Sequence, residues 1–128
     1  MDSTEFINKL NEVQEFMQKE NYKEAIILIE KLKELDKNAD FNYNLTHKLY
    51  QLDSNTRSLY YQEIILKTIT HLSTKTKNIS FHELNQKIKE MNNLDLSPDI
   101  LRREVEVLIL RNQLVCKIEN DFIILNSI

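Results

Sequence analysis

A chain of 128 residues without a single glycine is barred from many backbone shapes. Only glycine enters the left-handed and mirror-β regions without a steric penalty. A phosphate-cradling loop, a dinucleotide-binding turn and the strained elbow that presents a nucleophilic serine all depend on it. Those chemistries are therefore not expected. Turns must be closed by asparagine, the next most tolerant residue. It stands where helices are expected to stop: Asn38, Asn55, Asn78, Asn92, Asn93, Asn112 and Asn120.

The side chains that could replace such chemistry are scattered. His47, His71 and His82 are far apart and Cys116 is the only cysteine, so no ligand spacing for a metal is present. Cys116 falls in an expected strand, where a small buried hydrophobe is the ordinary role. The carboxylates occupy helix surfaces and caps, and no two stand out as an acid and base pair. The chain is expected not to be an enzyme and to carry no cofactor or metal. A lone cysteine makes no internal disulfide and suits a reducing compartment. The opening MDSTEFINKL lacks a basic start and an apolar core, and no apolar run nears the roughly 20 residues that span a bilayer. An intracellular location, nuclear or cytoplasmic, and no membrane partner are expected.

Periodicity predicts three helices in the first half. One runs from about Thr4 to Lys19, capped by Ser3 or Asp2, with Phe6, Leu10, Val13 and Met17 as its apolar stripe. A second follows Asn21 to about Leu35, with Glu24 completing a capping box. Its apolar set of Tyr22, Ala25, Ile26, Leu28, Ile29, Leu32 and Leu35 is wide enough to be covered on two sides. After a polar break at Asp36 to Asp40, a third spans Phe41 to Leu52 with Leu45 and Leu49 inward. Asp53-Ser54-Asn55 is a second break and the expected boundary between halves.

The second half predicts a long helix from Ser54 to Leu72, buried along Leu59, Ile65, Ile69 and Leu72. A basic loop, Ser73 to Asn78, leads to a short edge strand, Ile79-Ser80-Phe81. Ser80, with Glu83, caps a helix through Met91 whose Leu84, Ile88 and Met91 face inward. Ser97-Pro98 starts the next helix, since a cap followed by proline at the first position is a strong signal. That helix carries Leu101, Val105, Leu108 and Ile109 to about Asn112. Leu114 to Ile118 and Phe122 to Leu125 then alternate around the polar turn Glu119-Asn120-Asp121. Helix, short strand, helix, helix and hairpin is the order of a winged helix. The expected fold is mainly α: residues 1–53 a helical hairpin plus one helix, packed on a winged helix with a small β wing over residues 54–128.

Three families share these phrases. Phe81-His82-Glu83-Leu84-Asn85-Gln86-Lys87-Ile88-Lys89-Glu90-Met91 and the acidic turn Glu119-Asn120-Asp121 resemble the winged helix that ends the middle subunit of replication protein A. The loop Asn92 to Ser97 is longer here, and that family's oligonucleotide-binding barrel is absent upstream. Glu20-Asn21-Tyr22-Lys23-Glu24-Ala25-Ile26 is similar to the turn of a tetratricopeptide hairpin. Followed by Ile79-Ser80-Phe81-His82-Glu83-Leu84 and Leu114-Val115-Cys116-Lys117-Ile118, it looks like a short PCI domain, the plan of proteasome-lid, signalosome and initiation factor 3 subunits. Leu96-Ser97-Pro98-Asp99-Ile100 is a looser match to a cullin's terminal winged helix. All three resemblances imply docking in a multisubunit assembly.

Charge bears on the alternative, nucleic-acid binding. Residues 57–128 hold 10 basic and 9 acidic side chains, and residues 1–56 hold 7 and 11. Neither half is the polycation that phosphate contacts favour. The last helix mixes Arg102, Arg103 and Arg111 with Asp99, Glu104 and Glu106, and the wing adds Glu119 and Asp121. The expected partner surface is Arg102, Arg103, Glu106, Val107, Leu110, Glu119 and Asp121, with Val107 and Leu110 either packed on the N-terminal helices or open to a partner. The groove beside the Phe81 strand is a further candidate. Lys75, Lys77, Lys87, Lys89 and Arg111 form the candidate nucleic-acid patch. The expected function is a non-catalytic adaptor or scaffold subunit of a eukaryotic complex. That complex acts on nucleic acids in replication, repair or at telomeres, or is a PCI-type assembly. A winged-helix DNA-binding protein or transcription regulator, dimerising through its long N-terminal helices, is the alternative. A piece of a longer polypeptide is the third reading.

Overall fold

The computed structural model describes residues 2–38 and 43–125. Asp2 starts α1 (Ser3–Gln18) by accepting a hydrogen bond from the Glu5 amide at 2.8 Å, which occupies one of the amides a helix start leaves unpaired. The elements that follow are α2 (Tyr22–Lys37), α3 (Tyr43–Ser73), β1 (Asn78–Ser80), α4 (Phe81–Asn92), α5 (Pro98–Leu110), β2 (Lys117–Glu119) and β3 (Phe122–Ile124). The protein is mainly helical with one small antiparallel sheet. It divides into two compact units, Met1–Tyr60 and Tyr61–Ile128.

In the first unit α1 and α2 form a hairpin. Phe6, Leu10 and Val13 of α1 meet Ala25, Ile29 and Leu32 of α2, and the start of α3 adds Leu49 and Leu52. Each fully buried Phe, Leu or Ile contributes about 1.5–3 kcal/mol. Met17 and Leu45 are half-buried at the edge of this core. The hairpin turn is a Schellman motif: the Glu20 amide donates to Met17 O at 3.0 Å and the Asn21 amide to Phe16 O at 2.8 Å. Glu20 takes the left-handed conformation, φ 60°, which no asparagine occupies here.

Several expectations are corrected in this unit. Asn21 makes no side-chain cap, so the capping box with Glu24 is absent. α2 buries one line, Ala25–Ile29–Leu32, while Leu35 is exposed and Tyr22, Ile26 and Leu28 are half-buried. Two-sided covering is not seen. Asp53-Ser54-Asn55 does not break the chain either. α3 runs through it as one helix of 31 residues, with no proline or glycine to stop it. Asp53 accepts from Lys33 Nζ at 2.7 Å and from Arg57 Nε at 2.8 Å, one turn on. Its carboxylate is thereby drawn away from the local backbone, the competition that usually makes aspartate a helix breaker. Arg57 also reaches Glu30. The unit boundary at Tyr60 lies within α3, not at residue 53. The expected helix start at Phe41 and the break residues Ala39 and Asp40 lie outside the described residues.

The second unit takes the rest of α3, buried at Ile64, Ile65, Ile69 and Leu72 with Leu59 half-buried before it. The sheet order is β1-β3-β2. Register places Ile79 opposite Ile123 and Ile118 on the other side of Ile123, so one face of the sheet is apolar. The order is helix, strand, helix, helix, then a hairpin whose last strand is central in the sheet. Local signals set its element ends. The Ser80 hydroxyl accepts from the Glu83 amide at 3.0 Å, and Ser97 accepts from the Ile100 amide at 3.2 Å with Pro98 at the helix start. Asn93 (φ 51°), Asn112 (φ 59°) and Asn120 (φ 56°) take the left-handed turns. Asn38, Asn55, Asn78 and Asn92 do not. Phe81 begins α4 and is not part of the strand. Met91 is exposed rather than inward. β2 starts at Lys117, because the Leu114 amide is still held by Leu108 O at the end of α5. The wing turn is two residues, Asn120-Asp121, with Glu119 already paired to Phe122.

Candidate functional site

Two clefts flank the wing. The first, about 490 Å³, lies between the end of α5 and β2. Ile109, Leu110, Cys116 and Ile118 give it an apolar lining, and Glu106, Lys117 and Glu119 its charges. Helical spacing explains the α5 side: Leu101, Glu104, Val105 and Leu108 form the buried line, which leaves Leu110 on the opposite face. Leu110 is 81 % exposed and Val115, in the connection to β2, 61 %. Such side chains beside a groove are the kind of patch that partners cover.

The second cleft, about 430 Å³, is the groove beside Phe81 at the junction of β1 and α4. It is lined by Phe81, Pro98, Leu101 and Phe122, with Ser80, His82, Asn85 and Asp121 as polar members. Strand alternation explains Phe122. Ile123 points to the core, so Phe122 shares the outward face with its neighbours Ser80 and Glu119.

The expected partner residues divide between these surfaces. Glu106, Leu110 and Glu119 line the first cleft and Asp121 the second. Val107 is half-buried. Arg102 is engaged within the unit. Its Nε donates to Glu106 Oε1 at 3.1 Å, its Nη1 donates to Asn120 O at 3.2 Å, and its guanidinium stands 5.1 Å from the centre of the Phe81 ring. It ties α5 to the wing turn and to the start of α4. Arg103 is exposed, with Nε 4.0 Å from Glu104 Oε1. Glu104, counted from sequence among the surface charges, is only 2 % exposed. Its place in the i, i+3, i+4 line with Leu101, Val105 and Leu108 was the available signal.

The five candidate nucleic-acid residues are all exposed but come from three places. Lys75 and Lys77 stand between α3 and β1, with Lys75 Nζ 3.4 Å from His71 Nε2. Lys87 and Lys89 lie on either side of the buried Ile88, roughly 200° apart around α4. Lys87 pairs with Glu90 at 3.5 Å. Arg111 caps the end of α5. The two α4 lysines therefore do not share a face.

Burial pushes the half-buried Cys116 thiol above its ordinary range, so thiolate is scarce at neutral pH. Among the described residues no three His, Cys, Asp or Glu side chains converge in a metal-holding group, and no helix is long and apolar enough to cross a membrane. Ser80, His82, Asn85, Pro98 and Phe122 read in the sequence as cap, motif or strand residues, not as the lining of a cleft. Only strand alternation, for Phe122, carried a signal. Compared with protein-family models, curated proteins and solved structures, the chain matches none.

Proposed function

We infer that this chain is a non-catalytic adaptor or scaffold subunit that docks other proteins through the clefts flanking its wing. The observation that carries this reading is the exposed apolar pair Leu110 and Val115 at or beside the α5–β2 cleft. Mixed charge around it supports protein docking over phosphate binding. Of the α5 cations, Arg102 is tied to Glu106 and the wing turn, and Arg103 lies nearest Glu104. The resemblances to the replication protein A subunit and to PCI domains supply the class of assembly: one acting on nucleic acids, or a PCI-type complex. The chain works inside the cell, in nucleus or cytoplasm.

Lys75, Lys77, Lys89 and Arg111, exposed and among the described residues in no ion pair with a carboxylate, favour a second reading as a winged-helix DNA binder. Titration against labelled duplex and single-stranded DNA at low and moderate salt separates the two. Phosphate contacts would give an affinity that falls steeply with salt, by about one log unit per log of salt for each contact. The adaptor reading expects no such binding. It also expects a stoichiometric protein partner that is recovered by the full chain and lost with Leu110→Glu. Because Leu110 is so exposed, that substitution leaves the fold intact.

A further inference from the structure

We propose that the cleft beside Phe81 receives an arginine side chain of the partner protein, borne on a segment with apolar residues next to it. This rests on the docking reading above and names what one of the two clefts takes.

Charge complementarity is the first argument. Asp121 is exposed at the cleft, and its carboxylate has no side-chain partner among the described residues; only its backbone carbonyl is used, accepting from the Phe81 amide at 2.9 Å. No lysine or arginine lines the cleft. The nearby cation, Arg102, is already shared between Glu106 and Asn120 O. The helix starts beside the cleft make no stronger claim on an anion. Ser80 and Ser97 cap α4 and α5, and Glu83 and Asp99 sit in their first turns.

The second argument is an acceptor without a donor. Asn85 Nδ2 donates to Leu96 O at 2.8 Å, which fixes the amide's orientation, since the reverse would set oxygen against oxygen. Asn85 Oδ1 is then shielded from solvent with no hydrogen-bond partner. Such groups are rare in folded proteins because each costs the desolvation of a polar atom. The cleft thus holds the exposed Asp121 carboxylate, the unpartnered Asn85 oxygen in its wall and no lysine or arginine; its other polar members are His82 and Ser80, whose hydroxyl donates to Glu83.

The apolar part selects arginine over lysine. Phe122, 45 % exposed, offers a ring face, whereas the Phe81 ring already has the Arg102 guanidinium 5.1 Å from its centre. A guanidinium is planar, stacks on rings, and carries five N–H groups in a fixed fork. An ammonium has the charge without the plane. Pro98 and Leu101 suit the aliphatic stem of the same side chain.

The test uses the full chain labelled with ¹⁵N and three blocked tripeptides: leucine–arginine–leucine, its citrulline form and its lysine form. Citrulline keeps the shape of arginine and removes the charge. The arginine peptide is expected to move the amide signals of Phe81, Asn85, Asp121 and Phe122. Binding is expected to weaken about fivefold for citrulline and for Asp121→Asn, with lysine between. Asp121→Asn leaves the rest of the spectrum in place, because the Asp121 side chain holds nothing else. Equal binding of the citrulline peptide, shifts confined to other residues, or stronger perturbation of the same amides by a short single-stranded oligonucleotide would each overturn the proposal. If the arginine peptide fails while Leu110→Glu still abolishes a stoichiometric partner, the docking reading stands and this assignment falls. If neither shows an effect, both fall.

Discussion

The two units of this protein specify their helices by different means. In the second unit the ends of elements are written locally: Ser80 and Ser97 at helix starts, and Asn93, Asn112 and Asn120 at left-handed turns. In the first unit only α1 has such a cap, Asp2; α2 begins without a side-chain cap, and Glu20 turns the chain in a conformation that favours glycine. Long-range contacts do the work there. The Phe6–Ile29 core joins the helices, and Lys33, Asp53, Arg57 and Glu30 link α2 to α3. A unit held by tertiary contacts is hard to read from sequence, and a unit marked by caps is easy.

The largest expected effects test the cores on which both depend. Phe6→Ala is expected to cost about 3–5 kcal/mol and Ile123→Ala about 2–5, measured by urea unfolding. A loss under 1 kcal/mol at either site would mean that its unit is not organised around that residue.

Next is the Asp53 cluster, the long-range device of the first unit. The Asp53 side chain is mostly buried, between the fully exposed pairs that contribute about 0.2–1 kcal/mol and the fully buried pairs whose breaking costs about 3–5. Asp53→Ala is expected to cost about 1–3 kcal/mol. Burial works against the Asp53 charge, but hydrogen bonds from Lys33 and Arg57 outweigh it and hold the carboxyl below its usual value. Burial likewise opposes the Lys33 charge, while the bond to Asp53 and attraction to Asp53 and Glu30 raise its pKa above the usual value against the repulsion of Arg57. The sign follows for each. The Asp53 contribution is present above about pH 3.9 and is lost as pH falls through the lowered folded value. The Lys33 contribution is present below about pH 10.4 and is lost as pH rises through the raised folded value. Stability curves of wild type and Asp53→Ala should therefore converge at low pH and only narrow at high pH, where the Arg57 bond to Asp53 persists, and parallel curves would refute the assignment.

Caps give the sharpest contrast between α2 and α5. Ser97→Ala is expected to lower stability by about 1 kcal/mol. Asn21→Ala, at the corresponding place on α2, should change it by less than about 0.5 kcal/mol because no side-chain bond is lost. Equal losses would erase the distinction. The smallest effect runs the other way. Glu20→Gly removes a left-handed non-glycine residue and is expected to stabilise by up to about 1 kcal/mol, read as a rise in the thermal midpoint.

Legibility followed the same division. The Ser80–Glu83 and Ser97-Pro98 starts were visible in sequence, as were the buried Leu84, Ile88, Leu101, Val105 and Leu108, and the wing around Asn120. The continuity of α3 was not, because Asp53-Ser54-Asn55 reads as a break until Lys33 and Arg57 are seen to hold Asp53. Of the candidate site, the charged and apolar members Glu106, Leu110, Glu119 and Asp121 were legible as residues. Their division between two clefts was not, nor was the engagement of Arg102 with Glu106, Asn120 and Phe81. The separation of Lys87 from Lys89 needed only the helical period, but it becomes meaningful once Ile88 is known to be buried.

By itself the sequence determined the helical character, the order of helices and small sheet, and the use of asparagine at left-handed turns, because periodicity, caps and composition act over a few residues. Only the tertiary structure decided which charges are spoken for and which apolar side chains stay open. Those depend on groups such as Arg102 and Asn120, or Lys33 and Asp53, that are 18 and 20 residues apart in the chain and meet only after it has folded.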